Sequence, residues 1–323
     1  MPSYDIVTIG DATEDVFVWP ELRVQSMKGL GSGKAICFEF GEKIALDDVQ
    51  YEIGGSACNV AVGLSRLGYK AGIITALGKD TVRDRVIDRL QVEDVDVSNI
   101  TVNDKIKSGF SVIFSMNGDR TIFVYHGIKD YRAIELPKQV STEWYFVTPL
   151  GEETEAIEKY LIAEASEHGI KIAWNPGSKQ ILKGASHFRA LLKCTTVLFL
   201  NREEAIKFTD FQVKPRIEEV MEKLANMGPK IVVVTNGKEG ARAYDGVNYY
   251  DVFTNQRIER VDATGAGDSF AVGVLGRIMQ EKNLSEIEPT VLKEALSWGK
   301  NNSESVIRYV GAQRGLLTRA QIV

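Results

Sequence analysis

The stretch "KIVVVTNG" (residues 230–237) carries four consecutive β-branched aliphatic residues into Thr235, Asn236 and Gly237. Nothing polar alternates along it, as expected of a strand covered on both faces in a parallel sheet. Five more short runs share this character: "DIVTIG" (5–10), "GIITALG" (72–78), "WYFVTP" (144–149), "IKIAWNP" (170–176) and "TVLFLN" (196–201). Helical periods lie between most of them. Val60, Leu64 and Leu67 precede Gly68; Ile157, Tyr160, Leu161 and Glu164 precede His168-Gly169; Ile217, Val220, Met221 and Leu224 precede Gly228-Pro229. Doubly covered strands alternating with helices predict an α/β fold, a doubly wound and mostly parallel sheet flanked by helices.

Two segments break the rhythm. Residues 17–53 have no long helical period, and residues 107–126 hold two β-rich runs around "NGD" (117–119), a hairpin signal. They form either a small β-layer standing off the main sheet or an edge hairpin lying flat on it.

The 323 residues suffice for two domains by length, although alternating α/β folds often stay a single unit. A net charge of −5 argues against a nucleic-acid partner, which calls for a basic face. Cys37, Cys58 and Cys194 are odd in number and widely spaced, which suits reduced thiols in a cytoplasmic protein. His126, His168 and His187 stand singly, without zinc-like spacing, and each is expected to be an ordinary surface or core residue. The start, "MPSYDIVTIGD", lacks the basic region and cleavage site of a signal peptide, and no run of apolar residues is long enough to span a membrane.

In open α/β sheets ligands gather beyond the carboxyl ends of the strands. There the chain places Asp11, Asp15, Asn175, Asn201, Glu204 and Thr235, each common alone but together outlining a polar site. "GGSACN" (54–59) opens a helix with two glycines, which either make a tight turn or let backbone N–H groups approach a ligand; Asn59 suits a hydroxylated molecule. "GLGSGKA" (29–35) is a decoy for a phosphate-binding loop, because Lys28 and Ala35 stand where glycine and a hydroxyl are required.

"ATGAGD" (263–268) opens another helix, since Phe270, Val274 and Ile278 recur at helical spacing. Unpaired N–H groups of three small residues at that terminus would suit a phosphoryl group, and a carboxylate beside them can take the proton of an attacking hydroxyl. The helix terminus is expected to keep Asp268 ionised. An Asp-capped glycine turn fits the same letters.

Taken in order, "GDATED" (10–15), "GGSACN" (54–59), "NREE" (201–204), "TNGKEG" (235–240) and "DATGAGD" (262–268) resemble the motifs of the ribokinase/PfkB family of small-molecule kinases. The resemblance covers nearly the whole chain and implies one ribokinase-like domain over 1–323. It makes Asp268 the catalytic base and Gly265, Ala266 and Gly267 the anion hole. Asn201 and Glu204 would organise magnesium and its waters near the ATP phosphates, and Thr235, Gly237 and Gly240 the nucleotide-binding turn. Asp15, Gly55 and Asn59 would hold the acceptor's hydroxyls, with Asp11 and Gly54 beside them. Asp262 and Thr264 match a monovalent-cation loop, for potassium, whose second half lies within "VGAQRG" (310–315). Asn302 matches an asparagine near the adenine. Segments 17–53 and 107–131 become a β-lid that closes over the acceptor and supports a homodimer. Ser56 and Thr13 depart from ribokinase itself, which has lysine and asparagine there, so a strict ribokinase is not expected.

The expected activity is transfer of the γ-phosphoryl group of ATP to a primary hydroxyl of a sugar or sugar-like acceptor. A nucleoside kinase on the same scaffold is the alternative, with Phe38, Phe40, Phe110 and Phe114 able to stack on a base or simply to pack as core. A nicotinamide-dependent dehydrogenase would need GxGxxG where the chain reads "GDATED", and a metabolite sensor would need neither Asp268 nor Glu204.

Overall fold

A computed structural model describes residues 3–20, 24–26, 34–37, 40–116, 119–128, 131–138, 140–211, 215–284 and 287–323. Ile231 and Val233 enter one buried cluster, and Val232 and Val234 another on the opposite side. The uninterrupted apolar run thus reflects burial on both faces of one strand.

In chain order the strands are β1 (Ser3–Ile9), β2 (Thr13–Pro20), β3 (Val24–Ser26), β4 (Lys34–Ile36), β5 (Leu46–Gly54), β6 (Ala71–Gly78), β7 (Ile100–Asn103), β8 (Gly109–Met116), β9 (Asp119–Tyr125), β10 (Ser141–Val147), β11 (Lys171–Trp174), β12 (Thr195–Asn201), β13 (Ile231–Thr235), β14 (Ala241–Tyr244) and β15 (Tyr249–Val252). The helices are α1 (Ser56–Arg66), α2 (Thr81–Val92), α3 (Glu155–His168), α4 (Ser178–Lys183), α5 (Arg189–Cys194), α6 (Arg202–Phe208), α7 (Ile217–Ala225), α8 (Ala266–Ile278), α9 (Pro289–Val306) and α10 (Arg319–Ile322).

The main sheet has the order β15-β14-β13-β12-β11-β10-β1-β6-β7 and is parallel up to β13. β14 and β15 add an antiparallel edge that the apolar runs did not predict. Chain order reverses at β1, whose neighbours are β6 and β10, so a crevice opens beyond its carboxyl end. Helices α1, α8 and α9 pack on one face, through Val60, Leu64, Val274 and Leu292. Helices α3, α4, α6 and α7 pack on the other, through Leu161, Ile181, Phe208 and Leu224.

The second sheet, β5-β2-β8-β9, settles the choice left open above: the two irregular segments form a separate β-layer. Its first strand begins at Thr13, earlier than residue 17, because the chain passes almost directly from β1 into β2. β8 and β9 pair antiparallel as the hairpin signal predicted, with Met116 opposite Asp119; Asn117 and Gly118 fall outside the described residues. Most of the decoy loop, residues 29–33, and Phe38 also fall outside them. Among the described residues the three cysteines are free, and no helix is long and apolar enough to cross a membrane.

Candidate active site

Helix α8 begins where the glycines predicted. Gly265 is its N-cap with φ of 73°, in the left-handed region, and a Cβ there would lie 2.3 Å from that of Ala312. Both observations require glycine. Ala266 donates its N–H to the Ala263 carbonyl, so it is not one of the open donors. The N–H groups of Gly267 and Asp268 find no acceptor among the described residues, leaving two open donors at the positive end of a thirteen-residue helix.

Asp268 occupies the third position of that helix. Asn59 Nδ2 donates to its Oδ2 at 2.9 Å, and Ser56 also hydrogen-bonds to it. The Asn59 amide is oriented in turn by Gln313, whose Nε2 donates to Asn59 Oδ1 at 3.2 Å and whose Oε1 accepts from Arg89 Nε. Asn59 is buried and addresses the Asp268 carboxylate, with both ends of its amide engaged. Burial raises the pKa of Asp268, against the lowering effect of Asn59 and Ser56. Desolvation is the largest influence on this carboxyl, and it acts against the charged form that the helix terminus was expected to favour.

Asp15 lies in β2 and faces the same space. Its pKa is raised by burial, opposed by hydrogen bonds from Ser111 and Thr13, and raised further by Asp262 and Asp268. Gly54 lets this carboxylate pass: a Cβ there would stand 2.0 Å from Asp15 Oδ2. Gly55, with φ of 87°, would place a Cβ 2.4 Å from the Asp11 carbonyl oxygen. Asp11 thus sits at the end of β1 against the start of α1, with its carboxylate taken by the Tyr131 hydroxyl and faced by His126 Nδ1 at 3.7 Å.

Thr235, Gly237 and Gly240 line a cleft of about 390 Å³ together with Ala266, Gly267, Lys238 and Lys300. Residues of two separately predicted groups, the turn at 235–240 and Ala266 with Gly267 of the helix start, therefore share one cavity. Its size falls within the range of small-molecule sites, about 300–1,000 Å³.

Other predicted residues have local partners. Asn201 and Glu204 cap their own helix reciprocally, Glu204 N–H donating to Asn201 Oδ1 and Asn201 N–H to Glu204 Oε2. They stand next to Thr235, which pairs with Asn201 across β12 and β13, and burial raises the Glu204 pKa. Asp262 accepts from Thr264 N–H and Oγ1 with one oxygen and from Gly311 N–H with the other, stapling two loops. Asn175 donates to the Phe199 carbonyl and braces the sheet.

Asn302 corrects the sequence expectation. It is fully buried, donates to the Ser269 carbonyl and accepts from Leu317 N–H, and it does not line the cleft. Helical spacing explains this: Lys300, Ser303, Glu304 and Ile307 share the face of α9 and its end that meets the cleft, and position 302 turns into the core.

The sequence reading missed Gln313 and Tyr131, which orient Asn59 and Asp11, and the side chains of 254–260 and α9 that wall the cleft. None of these carries a local pattern, although Gln313 lies within "VGAQRG" (310–315).

A family profile described as pfkB family carbohydrate kinase matches residues 32–316. The chain is 28% identical over 254 residues to a fructokinase of Salmonella typhimurium, covering 74% of this chain and 81% of the relative. It is 22% identical to an ATP-dependent 6-phosphofructokinase of Thermoanaerobacterium thermosaccharolyticum, over 96% and 89% of the two chains. The fold is similar to that of a Burkholderia thailandensis nucleoside kinase in complex with inosine, with a TM-score of 0.76, 18% identity and coverage of 98% and 96%. The chain belongs to the pfkB family of carbohydrate kinases, phosphotransferases that act on an alcohol group.

Proposed function

We propose that this chain transfers the γ-phosphoryl group of ATP to a primary hydroxyl of a sugar or sugar-like acceptor, with Asp268 as base and Gly265, Ala266 and Gly267 as anion hole. The observation that carries this reading is the single cleft joining Thr235, Gly237 and Gly240 to Ala266 and Gly267, with Asp268 one residue further on. Asp268 accepts the hydroxyl proton, Asn59 and Ser56 hold its carboxylate in place, and the N–H groups of Gly267 and Asp268 meet the negative charge of the migrating group. Asp15 and Asp11 stand opposite, on the acceptor side. Residues 1–323 act on this reading as one domain, and closure of the β2-β5-β8-β9 lid excludes water from the reaction.

Magnesium fits the donor set, because it keeps several waters and needs only one or two carboxylates besides the phosphates. Glu204 offers one, a half-buried carboxylate held in place by the Asn201 N–H and side chain. When bound, the ion would neutralise phosphate charge. Asp262, Thr264 and the 310–315 loop are the part of the chain suited to potassium, since carboxylate oxygens that each already accept hydrogen bonds retain further lone pairs.

ADP release across a panel of pentoses, hexoses, sugar acids, sugar phosphates and nucleosides, with magnesium and with or without potassium, tests the reading. Acceptor-independent ATP hydrolysis alone would reject it. The nucleoside alternative rests on Ile122 and Val124, exposed on the inner lid face. The lid aromatics give it less support: Phe110 pairs with Glu14 and Phe114 with Val18, on the face opposite Asp15, and Phe114 packs edge-on against Phe123.

Asn59 supplies a graded test. Removing it in Asn59→Ala deletes a hydrogen bond that lowers the Asp268 pKa, so the acid limb of the kcat profile should move to higher pH. At neutral pH kcat should fall about tenfold, the value of one hydrogen bond to a charged group. A pH–rate profile checks both.

A homodimer through the lid is part of the same proposal. Val49, Tyr51, Phe123 and Tyr125 are exposed on the lid face away from the site, on its two edge strands β5 and β9. A second copy of the chain would cover them. Phe123→Asp should shift the mass measured by light scattering from dimer to monomer. A cytoplasmic location is supported by the free thiols.

A further inference from the structure

We propose that His126 determines acceptor specificity by binding an anionic oxygen group, a carboxylate or a phosphate, at the end of the acceptor remote from the reacting hydroxyl. This rests on the kinase reading above and adds the class of substrate to it.

The strand register places the residue. Asp15 pairs with Ser111 and Ser111 with Val124, while Ser115 pairs with Arg120, so Arg120, Ile122 and Val124 share the lid face of Asp15. His126 directly follows β9 in the same alternation. One end of this row meets the phosphoryl-binding loop: Arg120 Nη1 lies 3.9 Å from Asp262 Oδ1. The other end meets the end of β1, where His126 Nδ1 lies 3.7 Å from Asp11 Oδ2. The six-residue separation of Arg120 and His126 corresponds to roughly 20 Å of strand. Asp15, which senses the charge of Asp268, pairs through Ser111 with Val124, two residues before His126, so an acceptor whose hydroxyl meets Asp268 beside Asp15 extends toward His126.

The chemistry of that far end favours an oxygen without a hydrogen. Asp11 has one oxygen taken by the Tyr131 hydroxyl and the other facing the imidazole, so it offers little to a sugar O–H. His126 is open, with 65% of its side chain exposed, and with Nδ1 directed at Asp11 its Nε2 has no partner among the described residues. The groups facing it are Asp11, which raises its pKa, Lys179 of α4, which opposes this, and Tyr131 behind Asp11. Lys179 is itself paired with Glu152 at 2.7 Å. A protonated ring held through Nδ1 presents Nε2–H as a charged donor, and the Lys179 ammonium adds a second cation at the same end. Ile122 and Val124, exposed between the two ends, would cover the apolar edge of the acceptor.

The test compares aldonic acids, sugar phosphates and their neutral parents on the wild type and on His126→Gln. Wild-type kcat/KM should favour one anionic class over its neutral parent by at least about tenfold, the value of a hydrogen bond to a charged group; the preferred class distinguishes carboxylate from phosphate. In His126→Gln that preference should fall about tenfold through KM rather than kcat. The wild-type KM for the anionic acceptor should rise with pH as the ring loses its proton, and the variant should not show this rise. Calorimetric binding of gluconate and fructose 6-phosphate to the unreacted protein gives a second readout, and the same loss is expected there. Preference for a neutral acceptor, with anion binding unchanged by His126→Gln, would overturn the inference while leaving ATP-dependent phosphorylation of that neutral acceptor, and so the kinase reading, in place.

Discussion

Asp268→Asn should lower kcat by about 10²–10⁴-fold, the usual contribution of a positioned general base. The nucleotide cleft is built from other residues, so ATP affinity should change little. The same substitution should raise the melting temperature. Burial raises the folded-state pKa of this carboxyl above its unfolded value, so the charged form at neutral pH is held at a cost to stability. That cost is absent below the unfolded pKa and grows as pH rises through the interval to the folded one; asparagine removes it. In the wild type the acid limb of kcat should accordingly lie above the ordinary carboxylate range, because the base must lose its proton to act. Steady-state kinetics and a thermal melt on the same two proteins check both signs. Gain of stability with loss of activity is the pattern expected of a residue held for chemistry.

Gly267→Ala should separate folding from function in another way. Nothing lies within 4 Å of where its Cβ would stand, and it occupies the second position of α8. Alanine should therefore fold normally, and in a helix it is favoured over glycine by up to about 1 kcal/mol. The methyl group would project into the space assigned to the phosphoryl group. Displacement of the reacting atoms by about 1 Å can cost about 10²-fold in rate, and a loss of that order in kcat is expected. An unchanged kcat would mean that the migrating group does not rest on Gly267.

Much of this architecture was legible before any coordinates. "KIVVVTNG" and "DIVTIG" read as doubly buried strands because Val232 and Val233, or Ile6 and Val7, enter opposite cores. Gly265 announced itself because a left-handed N-cap against Ala312 tolerates no side chain. The lid boundary at Thr13 was not legible, because a direct passage from one sheet to another leaves no turn signal. Asn302 misled because a motif match fixes a position along the chain, whereas helical phase decides which way it faces. Gln313 and Tyr131 stayed hidden for a related reason: their partners, Asn59 and Asp11, lie 254 and 120 residues away in sequence. His126, read as an ordinary histidine, drew its significance from Asp11, 115 positions earlier in the numbering.

Asp268 and the N–H groups beside Gly267 are proposed to pass a phosphoryl group from ATP to an acceptor hydroxyl. The decisive measurement incubates the protein with ATP labelled in the γ-phosphoryl group, magnesium and the acceptor panel, and follows the label by mass spectrometry. Label should reach an acceptor with the wild type, and at least about a hundredfold less of it with Asp268→Asn. Label appearing only in inorganic phosphate, or reaching the acceptor equally fast in both proteins, would contradict this assignment.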